Sequence, residues 1–162
     1  MLFALPTAQL SSRMRQSLRD LDGVEVATYH AAFKLNEPIT EALPLMTMYA
    51  MIVVDEVSLL DCAQFERMVK LWNVAEKVPA LIFLGDMDQL PGVGDTRPWE
   101  SAAWGRPLCY HVKLDETWRC KEQRFQDILD ELRTSKPSEA TLERICPRGS
   151  TSTRAANGAV RR

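Results

Sequence analysis

Apolar residues recur along this chain in two rhythms, and each rhythm predicts one kind of element. MLFALP (Met1 to Pro6) and VEVATY (Val24 to Tyr29) are short apolar runs that read as strands. Between them SSRMRQSLRDL (Ser11 to Leu21) has Met14, Leu18 and Leu21 at helical spacing, with Ser11 or Ser12 placed to cap it. AMIVVDE (Ala50 to Glu56) and ALIFLGD (Ala80 to Asp86) are nearly continuous apolar runs, the pattern of strands buried on both faces of a parallel sheet. The stretch CAQFERMVKLWNVAEK (Cys62 to Lys77) separates them as an amphipathic helix with Phe65, Met68, Val69 and Trp72 on one side. CYHVKLDE (Cys109 to Glu116) alternates as a final strand. EQRFQDILDELRTS (Glu122 to Ser135) is a helix with Phe125, Ile128, Leu129 and Leu132 on one face. Strands alternating with helices predict an α/β domain with a mostly parallel sheet and flanking helices.

The chain has 162 residues, enough for one domain with a sizeable core. Twenty basic residues against 22 acidic ones give a net charge near zero, so nucleic-acid binding would have to come from a local patch. No apolar stretch approaches the roughly 18–20 residues of a membrane span, and no membrane partner is expected. Four cysteines (62, 109, 120 and 146) form no CxxC pair, and with only two histidines a zinc site is not expected. Isolated cysteines of this kind fit a reducing, intracellular compartment. From about Cys146 the sequence CPRGSTSTRAANGAVRR has almost no large apolar side chains, so residues 147–162 are expected to be a disordered basic tail. Such a tail could touch nucleic acid or be a frayed terminus.

Chemistry enters at MIVVDEVSLLD (Met51 to Asp61). A buried strand ending in Asp-Glu fixes two carboxylates at the carboxyl edge of a sheet, where ligands of open α/β sheets bind. Asp55 can hold magnesium through its water shell and Glu56 can polarise an attacking water; a charged pair that only caps a strand is the plainer alternative. A second strand tip follows in LIFLGDMDQLPGVGD (Leu81 to Asp95). There Gln89, a neutral donor and acceptor, is suited to sense a terminal phosphate.

The order TYHAAF (Thr28 to Phe33), VVDEVSLLD (Val53 to Asp61) and GDMDQLPGVGD (Gly85 to Asp95) resembles the PIF-type and RecD-like helicases of superfamily 1. The likeness continues through WESAAW (Trp99 to Trp104) and LDETWRCKEQRFQDILDELR (Leu114 to Arg133), and ALPTAQLSSRMR (Ala4 to Arg15) resembles the segment after the family's first nucleotide-binding motif. It covers about residues 2 to 146. The resemblance implies a partial RecA-like P-loop NTPase domain, residues 1–146, of a motor that hydrolyses ATP with Mg2+ to move along single-stranded DNA, within DNA repair and recombination. It implies that Asp55 and Glu56 are the magnesium and water-activating acids and that Gln89 senses the γ-phosphate. Arg119 would be the arginine that reaches the phosphates from the far side; otherwise it is a surface arginine. Thr28 and His30 match the family's TIHS segment near bound DNA, although His30 could equally be satisfied in the core. Arg13, Arg15 and Arg19 would line the DNA path or form an ordinary solvated face.

The sequence also departs from that pattern. Neither GxxxxGKS nor GxxxxGKT occurs in it, so the loop that cradles phosphates is absent, and the first P-loop strand is expected to be missing with it. A second motor domain after the Arg119 segment is likewise expected to be missing. Ala31 replaces a frequent Ser, Gly92 replaces a frequent Pro, and residues 34–49 are short for the wedge-bearing insertion of many relatives. The expectation is therefore a helicase fragment, inactive as this isolated chain, in which ATP and Mg2+ belong to the intact parent and are not held tightly here. Its partners would be single-stranded DNA, bound weakly, and either the missing helicase portions or another protein covering the open sheet. A helicase-derived binding module without catalysis is the alternative, and a P-loop protein whose substrate is not DNA is a third. In a eukaryote the expected compartment is nucleus or mitochondrion.

Overall fold

The computed structural model describes residues 1–89, 96–105, 110–114 and 122–146. The chain divides into two compact units, Met1–Val112 and Lys113–Arg162.

The first unit is built on four parallel strands, β1 (Leu2–Leu5), β2 (Glu25–Thr28), β3 (Met51–Val54) and β4 (Ala80–Phe83), in the order β2-β1-β3-β4. Register is continuous across the sheet. Leu5 stands beside Thr28, Ala4 beside Val54, and Val54 beside Phe83. Because every strand points the same way, all four carboxyl ends emerge along one edge.

Helix α1 (Ala8–Ser17) follows β1 and packs on β1 and β2. It starts earlier than its apolar spacing suggested. Thr7 is the cap, its side chain accepting from the Leu10 N–H, whereas Ser11 is buried and its Oγ donates 2.9 Å to the Thr7 carbonyl. Both hydroxyls are chemically able to cap; the extended backbone at Thr7 (φ −130°, ψ 154°) decides between them. The short helix α2 (Tyr29–Phe33) springs directly from β2, and α3 (Ile39–Thr47) follows it, with the exposed Pro44 inside. Arg67 fastens the connection between them by donating to the Lys34 carbonyl (2.7 Å) and the Glu37 carbonyl.

Helix α4 (Cys62–Val74) opens with a reciprocal cap: Asp61 accepts from the Gln64 N–H (2.7 Å), and Gln64 accepts from the Asp61 N–H (3.2 Å). It buries Phe65, Met68, Val69 and Leu71, while Trp72 is half-buried and donates to the Pro79 carbonyl. Leu2, Ala4, Ile52 and Val54 supply the sheet side of this core, and α2, α3 and α4 contribute Phe33, Met46 and Phe65. Phe65 also meets the rings of Phe83 and Trp104 at 5.2 Å each, tying β4 and the Trp99–Trp104 segment to α4.

Two expectations are corrected here. The Ala80–Asp86 run reads as a strand buried on both faces, yet β4 is half-dressed. Val53 is 5% exposed, whereas its register partner Ile82 is 39% exposed and Leu84 43%. Among the described residues β4 pairs with β3 alone, so its outer edge and the Ile82–Leu84 face lack neighbours. The alternating Cys109–Glu116 segment is not a strand over its described part, residues 110–114, where Tyr110, Val112 and Leu114 all face solvent. Alternation alone does not make a strand without a ladder to join.

In the second unit, α5 (Gln123–Thr134) and α6 (Glu139–Ile145) are joined through Glu131, whose carboxylate accepts from the Thr141 hydroxyl and the Ser138 N–H. Sequence periodicity found α5 and missed α6. Phe125, Leu129 and Leu132 of α5 remain exposed. Arg119 and residues 147–162, expected as a tail, lie outside the described residues.

Candidate nucleotide and nucleic-acid site

The carboxyl edge of the sheet gathers most of the residues singled out by sequence. β3 ends at Val54, and the chain leaves it through Asp55 and Glu56 into a 3-10 turn (Val57–Leu59). The Asp55 N–H still donates to the Ala4 carbonyl (3.0 Å), so the ladder holds this aspartate at the tip of its strand. One residue later the backbone reverses: Glu56 sits in the left-handed region at φ 56°, ψ 44°. For a residue with a Cβ this conformation costs about 1–2 kcal/mol, and it persists only where the surroundings over-determine it.

Those surroundings are specific. The Glu56 N–H donates 3.0 Å to the Asp55 carboxylate, and its carbonyl accepts from the Leu59 N–H at 2.9 Å. The Val57 N–H donates 2.8 Å to the carbonyl of Leu84, the residue following β4. Gly85 makes that approach feasible, since a Cβ there would stand 2.7 Å from Val57 Cγ1 and 3.0 Å from the Val57 nitrogen. Its glycine is required by close packing and not by a left-handed backbone. From beneath, the Tyr29 hydroxyl donates to the Asp55 carbonyl and lies 3.1 Å from the Glu56 carbonyl. Burial first, and then the charges of Asp55 and Glu56, push the Tyr29 phenol above its ordinary range, so it stays a proton donor. Both acidic side chains are half-exposed, and among the described residues no basic side chain pairs with either.

The neighbouring tip carries Asp86, Asp88 and Gln89. Asp86 accepts from the Asp88 N–H (3.1 Å) and from the Gln89 side-chain amide (3.4 Å), and its carbonyl accepts from the Gln89 N–H (3.2 Å). Gln89 is exposed at the end of a compact turn that follows β4, the strand next to the one that leads into Asp55 and Glu56. Thr28 closes β2 and caps α2, accepting 3.3 Å from the Ala31 N–H. His30 is exposed, so the core reading of that imidazole does not hold. Arg13 and Arg15 lie on α1, which packs on β1 and β2. Two positions apart on α1, they do not face each other, and Arg15 donates 2.7 Å to the Val26 carbonyl.

Sequence reasoning missed Tyr29, the left-handed Glu56 and the buried hydroxyl of Ser58, which has no hydrogen-bond partner among the described residues. Tyr29 lay inside a motif read for its flanking residues, and the other two leave no compositional trace.

Whether the residues present fit magnesium and ATP divides in two. Among the described residues no three His, Cys, Asp or Glu side chains cluster to cage an ion directly. Magnesium, however, keeps several waters and takes one or two carboxylates plus substrate phosphates, and the half-exposed Asp55, with no ion-pair partner among the described residues, suits that mode. A phosphate cradle is not encoded in these 162 residues. The acidic half fits; the loop half is not present in this sequence.

A parallel sheet with packed helices and an acidic turn at its carboxyl edge is the RecA-like fold of P-loop NTPases. The chain belongs to the AAA domain family, whose model matches residues 4–153. Its fold is shared with solved Pif1 helicases. The Pif1 helicase of Candida albicans superposes with a TM-score of 0.65 at 22% identity, covering 90% of this chain and 43% of that one. The Bacteroides Pif1 helicase in complex with ADP-AlF3 and single-stranded DNA gives 0.64 at 16% identity, covering 88% and 38%. A structure of two coordinating Pif1 helicases at forked double-stranded DNA gives 0.58 at 14% identity, covering 90% and 46%. The chain thus spans less than half the length of these helicases. No curated protein matches it.

Proposed function

We propose that this domain carries the acid-bearing half of an ATP-hydrolysing DNA helicase motor. The observation that supports this reading best is the Asp55–Glu56 turn, held at the carboxyl edge in a left-handed conformation that folding alone does not favour. In the reading, Asp55 holds magnesium through water, Glu56 accepts the proton of an attacking water, and Gln89, on the adjacent tip, senses the terminal phosphate. Bound ATP with magnesium supplies the phosphoryl group and the charge that neutralises its transfer. Arg119 is assigned the far-side contact from sequence resemblance. Thr28 and His30 are assigned contacts to single-stranded DNA, which the related Bacteroides helicase binds in its crystal structure. Arg13 and Arg15 are assigned phosphate contacts, Arg13 being the better placed because Arg15 already serves the Val26 carbonyl.

By itself this chain is expected to show no ATP turnover and only weak, salt-sensitive DNA binding, because few basic contacts are available. A steady-state ATPase assay with magnesium and single-stranded DNA checks this. Turnover that disappears in Glu56→Gln would overturn the expectation of inactivity while supporting the assigned role of Glu56.

The undressed β4 favours a second reading, a helicase-derived module that works by binding a protein over the Ile82–Leu84 face. A stable complex that forms without nucleotide or DNA, and is lost in Leu84→Lys, would favour it over the motor reading.

A further inference from the structure

One contact at the acidic tip is not required by any role assigned so far. Tyr29 is the first residue of α2, it is 3% exposed, and its hydroxyl reaches two successive backbone carbonyls, those of Asp55 and Glu56. Those carbonyls belong to the two peptides on either side of the left-handed residue, Glu56. Among the described residues, every other hydrogen bond of the turn comes from β1, from the turn itself or from the end of β4, and Tyr29 is the one residue that bonds it to α2.

We propose that Tyr29 is a positioning residue for the Glu56 carboxylate: its hydroxyl fixes the Asp55–Glu56 peptide and so holds Glu56 in the left-handed conformation that sets where the carboxylate points. The proposal rests on the reading of Glu56 as the water-activating acid. A rotated peptide plane at residue 55 would carry the Glu56 Cα–Cβ bond with it, and no rotamer change restores a carboxylate displaced at its backbone. Thr28 and His30 flank Tyr29 in sequence, so the junction of β2 and α2 that carries those two side chains is bonded directly to the acidic turn.

A purely structural tyrosine, a ring filling the core with its hydroxyl satisfied on the nearest acceptor, predicts something different. Removing such a hydroxyl would weaken the fold by the same amount whatever residue stands at 56. A hydroxyl that holds a left-handed glutamate becomes largely dispensable once residue 56 needs no holding, as glycine does not.

The test is a double-mutant cycle on the whole chain, with Tyr29→Phe, Glu56→Gly and both together, followed by urea unfolding and NMR. In the native background Tyr29→Phe is expected to lower the urea midpoint and to abolish or average the couplings and intraresidue NOE that report positive φ at Glu56. The amides of the Asp61-capped α4 should not move. In the Glu56→Gly background the same change is expected to lower the midpoint by a clearly smaller amount. Should Tyr29→Phe fail to fold, the double variant is expected to fold, which is the same result in stronger form. Equal loss in both backgrounds, an undiminished positive-φ signature at Glu56 in Tyr29→Phe, or a double variant no better folded than Tyr29→Phe would each overturn the proposal. None of these readouts depends on ATP or DNA, so the assignment of Glu56 to hydrolysis can fail in the ATPase assay while the positioning role of Tyr29 stands, and the reverse.

Discussion

Gly85 and Ser58 sit on opposite sides of one close contact at the acidic edge, and they should respond oppositely to the same new residue. Alanine at 85 places a methyl group 2.7 Å from Val57 Cγ1 and 3.0 Å from a backbone nitrogen that cannot yield without disturbing the bond from Val57 to Leu84. Gly85→Ala is therefore expected to cost about 1–3 kcal/mol, the usual range for overpacking. Ser58 is 1% exposed, and its Oγ has no partner among the described residues. Burying a hydroxyl unpaired costs about 1–3 kcal/mol, so Ser58→Ala is expected to leave stability unchanged or raise it by up to about 1 kcal/mol. Urea unfolding of the two variants checks both signs at once. A large loss in Ser58→Ala would mean that the hydroxyl has a partner after all.

At the scale of elements, the α5–α6 pair carries a pH dependence of its own. The Glu131 carboxyl is held below its ordinary value of 4.5, first by the Thr141 hydroxyl and then by Ser138. A depressed folded-state value means that the ionised form supports the pairing. The support is complete above the ordinary carboxylate range and is lost as pH falls through the lowered value. The protection of the Ser138 and Thr141 amides, measured against their intrinsic exchange rates, should hold above the ordinary carboxylate range and fall as pH drops through the lowered value, and Glu131→Gln should remove that dependence. How far such elements could be read in advance depended on what fixes them. The strand Met51–Val54 and the helix Cys62–Val74 were legible because their own apolar periods are met by burial. The start of α1 was not, because Thr7, Ser11 and Ser12 offer the same hydroxyl and only backbone geometry separates them. The exposure of β4 was invisible for another reason: ALIF describes what the strand prefers to touch, not which neighbours it has. Asp55, Glu56 and Gln89 were legible as a pattern of residue types, while the Tyr29 contact joins positions 26 apart that no local pattern connects.

The whole molecule inherits a problem from its sheet. A parallel sheet is normally covered on both faces, yet here Ile82 and Leu84 meet solvent beside an edge with no strand on it among the described residues. Unpaired edges and apolar patches promote association between copies. The purified chain is expected to self-associate in a concentration-dependent way, and Leu84→Lys to shift it toward monomer without lowering helix content. Sedimentation velocity with circular dichroism measures both. An unchanged distribution of species would place the sticky surface elsewhere, with the exposed Phe125, Leu129 and Leu132 stripe of α5 as the next candidate.

The left-handed backbone at Glu56 also bears on heredity. Glycine or asparagine would suit that conformation better than glutamate does, so folding exerts a steady pull away from the residue found there. A lineage in which the carboxylate still earns its place should hold glutamate at 56 against that pull. A lineage released from the chemistry should drift at this codon before it drifts at core positions such as Ile52 or Phe65. Sequencing position 56 across near relatives of this gene would thus gauge, without an assay, whether selection still sees a hydrolase.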